Sequence, residues 1–205
     1  MTLVSVWRSS FNRLFVAAIG LAMVAGCGSE PVSAPTTYAA YNSPGGTFAL
    51  EYPDGWEADG GGKRGLEWAK FTSGPAQIRV DTGVAGSLMG DIAGTLGGSE
   101  EGAMTPELEP VHDVHLAGLE AAEKEYSGYQ EVGEPAVLDV RLGPARRSEF
   151  TASSTFGGGL HGYRVTMLGH DKSVHVACVC PESDWNTLQP AFDQVLSTFR
   201  RGQAE

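Results

Sequence analysis

The chain has 205 residues, of which 41% are hydrophobic and 19% charged, with 25 acidic side chains against 14 Lys and Arg. That size suits one globular domain plus a leader, and 28 glycines favour turns and strands over long helices. A formal net charge of −11 argues against nucleic acid and bare anionic lipid as partners, because the surface as a whole repels phosphate.

The N-terminus reads as a targeting segment. Arg8 and Arg13 precede an apolar and small-residue run from Leu14 to Val24, the order of a secretory leader. The run is shorter than the about 20 residues that span a bilayer core. It ends in Val24-Ala25-Gly26-Cys27, which resembles the lipobox of bacterial lipoprotein signal peptides. The resemblance implies cleavage before Cys27, thioether lipidation of its sulfur and acylation of the new amino group. Residues 1–26 are therefore expected to be a signal peptide, and Cys27 to hold the protein to a lipid bilayer on its extracytoplasmic side. Two or more acyl chains make such an anchor stable, at about 0.8 kcal/mol per buried CH₂. Gly28 resembles the residues that permit sorting to an outer membrane where the host has one. Losing Arg8 and Arg13 takes the net charge to −13, with 12 basic against 25 acidic residues.

Residues 27–46 are expected to be the lipidated cysteine and a flexible tether, since Gly28 to Ser43 is rich in Ser, Pro, Thr and Ala. The folded domain is placed at 47–200, with 201–205 a tail. Thr47 to Pro53 alternates Phe48, Leu50 and Tyr52 with Ala49 and Glu51 and predicts a strand. Asp59 to Gly65, DGGGKRG, reads as a mobile hairpin tip. A P-loop would need Gly at Glu57 and Ser or Thr at Arg64. Leu66 to Phe71 and Ala76 to Thr82 predict two further strands, and Ser87 to Leu96 a short helix weakened by Gly90 and Gly94. Between Glu100 and Asp139 stand eleven acidic residues and one basic residue, Lys124. With no EF-hand spacing, that tract reads as solvated acid. Leu116 to Tyr129 favours helix on intrinsic propensity. Gly133 to Arg147 reads as an excursion between strands, and Ser148 to Phe156 alternates as a strand. His161 to Arg200 predicts a hairpin followed by an amphipathic helix. Tyr163, Val165 and Met167 share one face of its first strand, and Val174, Val176, Cys178 and Cys180 one face of its second. Trp185, Leu188, Phe192 and Phe199 repeat near 3.6 residues. Pro190 predicts either a restart near Thr187, which leaves it in the tolerant first turn, or a kink.

Three stretches then resemble PsbP-like domains. These are TFALEYPDGWE, the segment His115 to Tyr129, and SVHVACVCPESDWNTLQPAFDQVLSTFR. The resemblance implies an α+β fold, an antiparallel β-sheet flanked by helices in an α/β/α sandwich. It also implies strand at Ala121 to Tyr126, against local propensity, and an accessory, non-catalytic character.

The search for reactive motifs is mostly negative. No Gly-x-Ser-x-Gly elbow, HExxH or paired CxxC occurs, and no cofactor signature is present, so no cofactor is expected. Cys178 and Cys180, at i and i+2 on a strand, read as buried thiols. His112 and His115 would share a face only on a helix, which Pro110 and the implied strand oppose. His161 and His175 are the candidates for a metal or ligand contact, although a structural role is the favoured reading. Arg146 and Arg147 read as exposed loop residues, and Trp56, Trp68 and Trp185 as core or core-edge aromatics. The function expected is a membrane-tethered, non-enzymatic module that binds or stabilises an envelope protein. The alternative is a small-ligand or metal-binding lipoprotein, with an enzyme the least favoured.

Overall fold

Alternation along Leu66–Ser73 (β4) and Ala76–Val84 (β5) sends Ala69, Phe71, Ile78 and Val80 to one side, all fully buried, and Trp68, Lys70, Arg79 and Asp81 to the other. A two-residue Gly74-Pro75 turn joins the strands, with Gly74 at φ +54°. The computed structural model describes residues 32–84, 110–155, 157–169 and 172–204. The lipobox cysteine Cys27 and the expected helix at 87–96 lie outside them. Of the two units into which the chain divides, the one described is Val32–Glu205.

Seven strands form one antiparallel sheet in the order β3-β4-β5-β9-β8-β7-β6. The remaining members are β3 (Glu57–Lys63), β6 (Ser127–Leu138), β7 (Ala145–Ser153), β8 (Gly159–Leu168) and β9 (Lys172–Pro181). A separate antiparallel pair, β1 (Tyr38–Asn42) and β2 (Ala49–Pro53), is tied to the C-terminal chain by reciprocal Ala49–Arg200 backbone bonds of 2.8 and 3.0 Å. Three α-helices stand among the described residues: α1 (Pro110–Ala117), α2 (Leu119–Glu125) and α3 (Trp185–Ser197).

The main core lies between the sheet and α3. Val174, Val176, Cys178 and Cys180 of β9 meet Leu188, Phe192, Val195 and Leu196 of α3, and Phe48, Leu50 and Phe71 continue that core beneath β1 and β2. Each such side chain contributes roughly 1.5–3 kcal/mol on burial. On the opposite side of the sheet α1 packs on β7 and β8, and α2 packs against β6. Helices therefore lie on both faces, and the α+β sandwich expectation holds.

Several local expectations do not. Tyr38–Asn42, inside the stretch expected to be a tether, is β1. Its YAAYN alternation was masked by Pro, Ser and Thr on either side. The glycine-rich segment is not a loop tip: Glu57–Lys63 is the edge strand β3. Gly60 makes room for an aromatic side chain, since a Cβ there would lie 2.0 Å from Tyr41 Oη. The strand implied at 121–126 is helix α2 up to Glu125, as local propensity had it, and β6 starts only at Ser127. Most of the expected excursion at 133–147 is β6 and the start of β7. The strand absorbs Gly133 and Pro135 through one register shift, between Val132 and Ala136. Pro190 sits inside α3, which begins at Trp185, so neither a restart at Thr187 nor a first-turn proline describes it.

Candidate functional site

Pro110 tolerates the first position of α1 because its missing N–H would have no helical partner there. From that helix His115 reaches into the sheet and is fully buried. Its Nδ1 shares a hydrogen bond of 3.0 Å with Thr166 Oγ1 on β8, and its Nε2 one of 2.9 Å with Ser148 Oγ on β7. Thr166 Oγ1 lies 3.5 Å from His175 Nδ1 on β9, and His175 Nε2 is 3.2 Å from Ser173 Oγ. A line of hydroxyls and imidazoles thus crosses three strands under α1. Burial, reinforced by the Arg164 guanidinium, drops the His115 pKa to about 3. Burial also lowers that of His175, against the opposing pull of Asp81. The imidazole of His115 is neutral at neutral pH.

Arg164 of β8 is the centre of the neighbouring charge network. It donates to the His115 carbonyl at 2.5 Å, to Glu131 Oε1 at 2.5 Å and to Tyr129 Oη at 3.1 Å, while Tyr129 donates to Glu131 at 2.9 Å. Burial pushes the Glu131 carboxyl upward, but hydrogen bonds from Arg164 outweigh it and leave the pKa below the usual range. Further along, Arg79 of β5 donates to both carboxylate oxygens of Glu125 on α2 and, at 2.9 Å, to Asp81.

A cavity of about 330 Å³ opens between α2 and the sheet. The small side chains of Ala121, Ala122 and Ala177 create its space, and Tyr126, Tyr129 and Phe150 wall it with rings whose centroids lie 4.8–6.5 Å apart. Arg79, Glu125, Arg164 and His175 reach its margin. Each cation there is already matched by a carboxylate, so the cavity suits a small, uncharged, ring-bearing molecule better than an ion.

The two candidate histidines do not come together. His175 faces α1, opposite Thr166 in the register. His161 lies opposite Cys180 on the α3 side. His161 stacks on Trp185 at 3.9 Å with 5° between the rings. Its Nε2 is 2.7 Å from Glu149, and Nδ1 lies 3.0 Å from Glu182 without hydrogen-bond geometry. Among the described residues no group of three or more His, Cys, Asp and Glu side chains could hold a metal. His112 and His115 do lie on a helix, contrary to expectation, yet both ring nitrogens of His115 are engaged by Ser148 and Thr166.

Cys178 and Cys180 are free thiols buried against α3. Burial pushes the pKa of Cys180 up to about 12 and that of Cys178 higher still, which removes the thiolate that redox or metal chemistry needs. Arg146 and Arg147 are strand residues of β7, not loop residues. Arg146 is 2% exposed, and Arg147 lies over the Tyr163 ring at 4.3 Å while bonding Asp193 of α3 at 2.6 Å. Trp56 and Trp185 are core residues as expected, whereas Trp68 is 38% exposed. Sequence reasoning missed Arg164, Glu131, Thr166 and Ser148. The signal was a polar row at matching register positions on three adjacent strands, which reads as a solvent face when the covering helix is not recognised.

No family model matches the chain, and no curated protein does. Solved structures do match. The solution structure of cyanobacterial PsbP (CyanoP) from Synechocystis sp. PCC 6803 superposes with a TM-score of 0.55 at 14% identity, covering 87% of this chain and 98% of that one. This chain has a PsbP-like fold. A looser likeness is to LpqN, described as involved in cell envelope biogenesis of Mycobacterium tuberculosis. It has a TM-score of 0.43 at 12% identity, covering 84% of this chain and 90% of that one. In the PsbP-like domain described here, the cavity under α2 and the buried line under α1 share one face of the sheet, and the thiols and His161 occupy the other. Among the described residues no helix is long and apolar enough to cross a membrane.

Proposed function

We propose that this protein is a lipid-anchored, non-catalytic accessory module of the bacterial cell envelope, held to a membrane by acylated Cys27 and acting by contact with another envelope protein. The observation that carries the reading is the lipobox-like Val24-Ala25-Gly26-Cys27 standing just ahead of a PsbP-like body. Because β1 starts at Tyr38, only residues 28–37 separate the acylated residue from the first strand. Ten residues extend at most about 35 Å, so the body works close to the bilayer surface. The charged groups around the cavity are matched among themselves and the thiols are held protonated, which favours contact over catalysis. Replacing Cys27 with serine is expected to move the protein from the membrane to the soluble fraction and to abolish palmitate labelling. A Cys27→Ser protein that still sediments with membranes and takes up label would end the anchor reading. Mild cross-linking on intact cells should trap one dominant envelope partner, and recovery of none would end the contact reading.

The cavity under α2 favours a second reading, binding of a small uncharged molecule. Ala122→Leu fills it from a buried helix position. That variant is expected to abolish any thermal stabilisation that the wild-type chain shows with small uncharged aromatics such as indole or phenol. Equal stabilisation of both proteins would dismiss this reading.

A further inference from the structure

In a chain this acidic, the placement of its few cations is informative. A cleft of about 300 Å³ is lined by Arg64, Arg141, Lys172 and Arg201, and by no carboxylate among the described residues. The four come from separate places: the β3–β4 turn, the β6–β7 connection, the start of β9 and the chain after α3. Arg64, Arg141 and Arg201 make no ion pair among the described residues. Elsewhere in the fold Arg79, Arg147 and Arg164 each bond a carboxylate. Gathering three arginines with no ion pair among the described residues is unfavourable, so the convergence of Arg64, Arg141 and Arg201 marks a preformed field for an anion.

Backbone contacts hold the cleft in shape. Asn42 brackets the C-terminal chain, donating from Nδ2 to the Gln203 carbonyl at 2.6 Å and accepting from Gln203 N–H at 2.9 Å. That chain lies directly on the β1–β2 connection: a Cβ on Gly46, at φ +72°, would sit 2.4 Å from Ala204 N, and one on Gly202 2.6 Å from the Phe48 carbonyl. The clamp holds the backbone that carries Arg201. Lys172 lies against the β3–β4 turn, where a Cβ on Gly65 would be 2.7 Å from its Nζ. The carboxylate behind the β1–β2 connection is Glu67, 1% exposed, whose Oε2 accepts from Ser43 Oγ at 3.1 Å and Thr47 N–H at 3.2 Å. Among the described residues, one carboxylate outside the lining against the three arginines in it leaves the cleft net positive.

We infer that this cleft binds a phosphate group, carried either by a soluble phosphorylated molecule or by a lipid headgroup. Three of its four cations are arginines, whose planar donors grip phosphate oxygens in pairs. The inference does not rest on the cavity under α2 or on the contact reading above.

The test is calorimetric titration of the full chain in an uncharged detergent with two probes, sodium pyrophosphate and short-chain dihexanoyl phosphatidylglycerol below its micelle concentration. Saturable one-to-one binding is expected for at least one probe, weakening about tenfold or more when salt rises from about 25 to about 250 mM. Tighter binding of pyrophosphate assigns the site to soluble phosphates, and tighter binding of the glycerolipid assigns it to headgroups. The double variant Arg141→Gln/Arg201→Gln, at two exposed positions, should lose at least about tenfold in affinity while its unfolding midpoint without probe is unchanged or higher. Arg64→Gln alone should lose a smaller factor in the same direction. Absence of saturable binding by both probes at low salt, or wild-type affinity in the double variant and in Arg64→Gln, would overturn the inference.

Discussion

Replacing Arg164 with methionine is expected to lower the unfolding free energy by about 3–5 kcal/mol, read as a fall in the urea midpoint at unchanged slope. The guanidinium is 11% exposed and its Glu131 partner 17%. Removing it leaves a carboxylate, the Tyr129 hydroxyl oxygen and the His115 carbonyl each short of a donor in a site that water barely reaches. Most of the loss is therefore the desolvation of stranded groups, and not the attraction of the pair itself. The double variant Arg164→Met/Glu131→Gln tests this directly. It should recover about 1–3 kcal/mol relative to the single variant, because the uncompensated charge is gone. A single variant that loses less than about 1 kcal/mol would show that the network is solvated and contributes as a surface pair does.

Acidification from pH 7 to 4.5 should destabilise the fold through His115. Its folded pKa is about 3, against an ordinary value of 6.5. Below 6.5 the unfolded chain takes up a proton that the folded chain refuses, so stability is full above that value and falls as pH drops toward 3. The slope for one such group approaches 1.36 kcal/mol per pH unit, or about 2–3 kcal/mol between pH 6.5 and 4.5. His175, also lowered by burial, adds to the loss. Glu125 and Glu131 are held below their ordinary value of 4.5 by Arg79 and Arg164, so they add theirs only under pH 4.5. Urea unfolding at pH 7, 5.5 and 4.5 measures the slope. His115→Gln, whose amide can still meet Thr166 and Ser148, should flatten it, and an equal slope in that variant would place the pH response elsewhere.

The parts of the fold legible in the sequence were those where side-chain alternation and burial coincide. β4, β5, β8 and β9 each carry a period-two row of apolar residues on the α3 side, which suffices to find them. β3 was illegible because EADGGGK has no apolar face. It is a strand through its antiparallel ladder with β4, and Gly60 leaves the room that Tyr41 needs. At Leu119–Glu125 the Ala, Glu and Lys content gave the right answer and the family pattern the wrong one. The buried polar line was lost at a single step. In sequence Pro110 reads as a breaker that hides α1, and without that helix Ser148, Thr166 and His175 would face water. The basic cleft was beyond any sequence pattern, since its four cations stand at positions 64, 141, 172 and 201.

The pairing of β5 with β9 governs how the molecule can assemble. Every other ladder of the large sheet joins strands adjacent in the chain, whereas this one joins residues 88 to 102 positions apart. Two meanders can form quickly and separately, and their union waits on closing a long loop. Until then each half presents an apolar edge, Ile78 and Val80 on one and Val176 and Cys178 on the other. The newly made chain is at its most aggregation-prone in that interval, and closure of the central seam ends it.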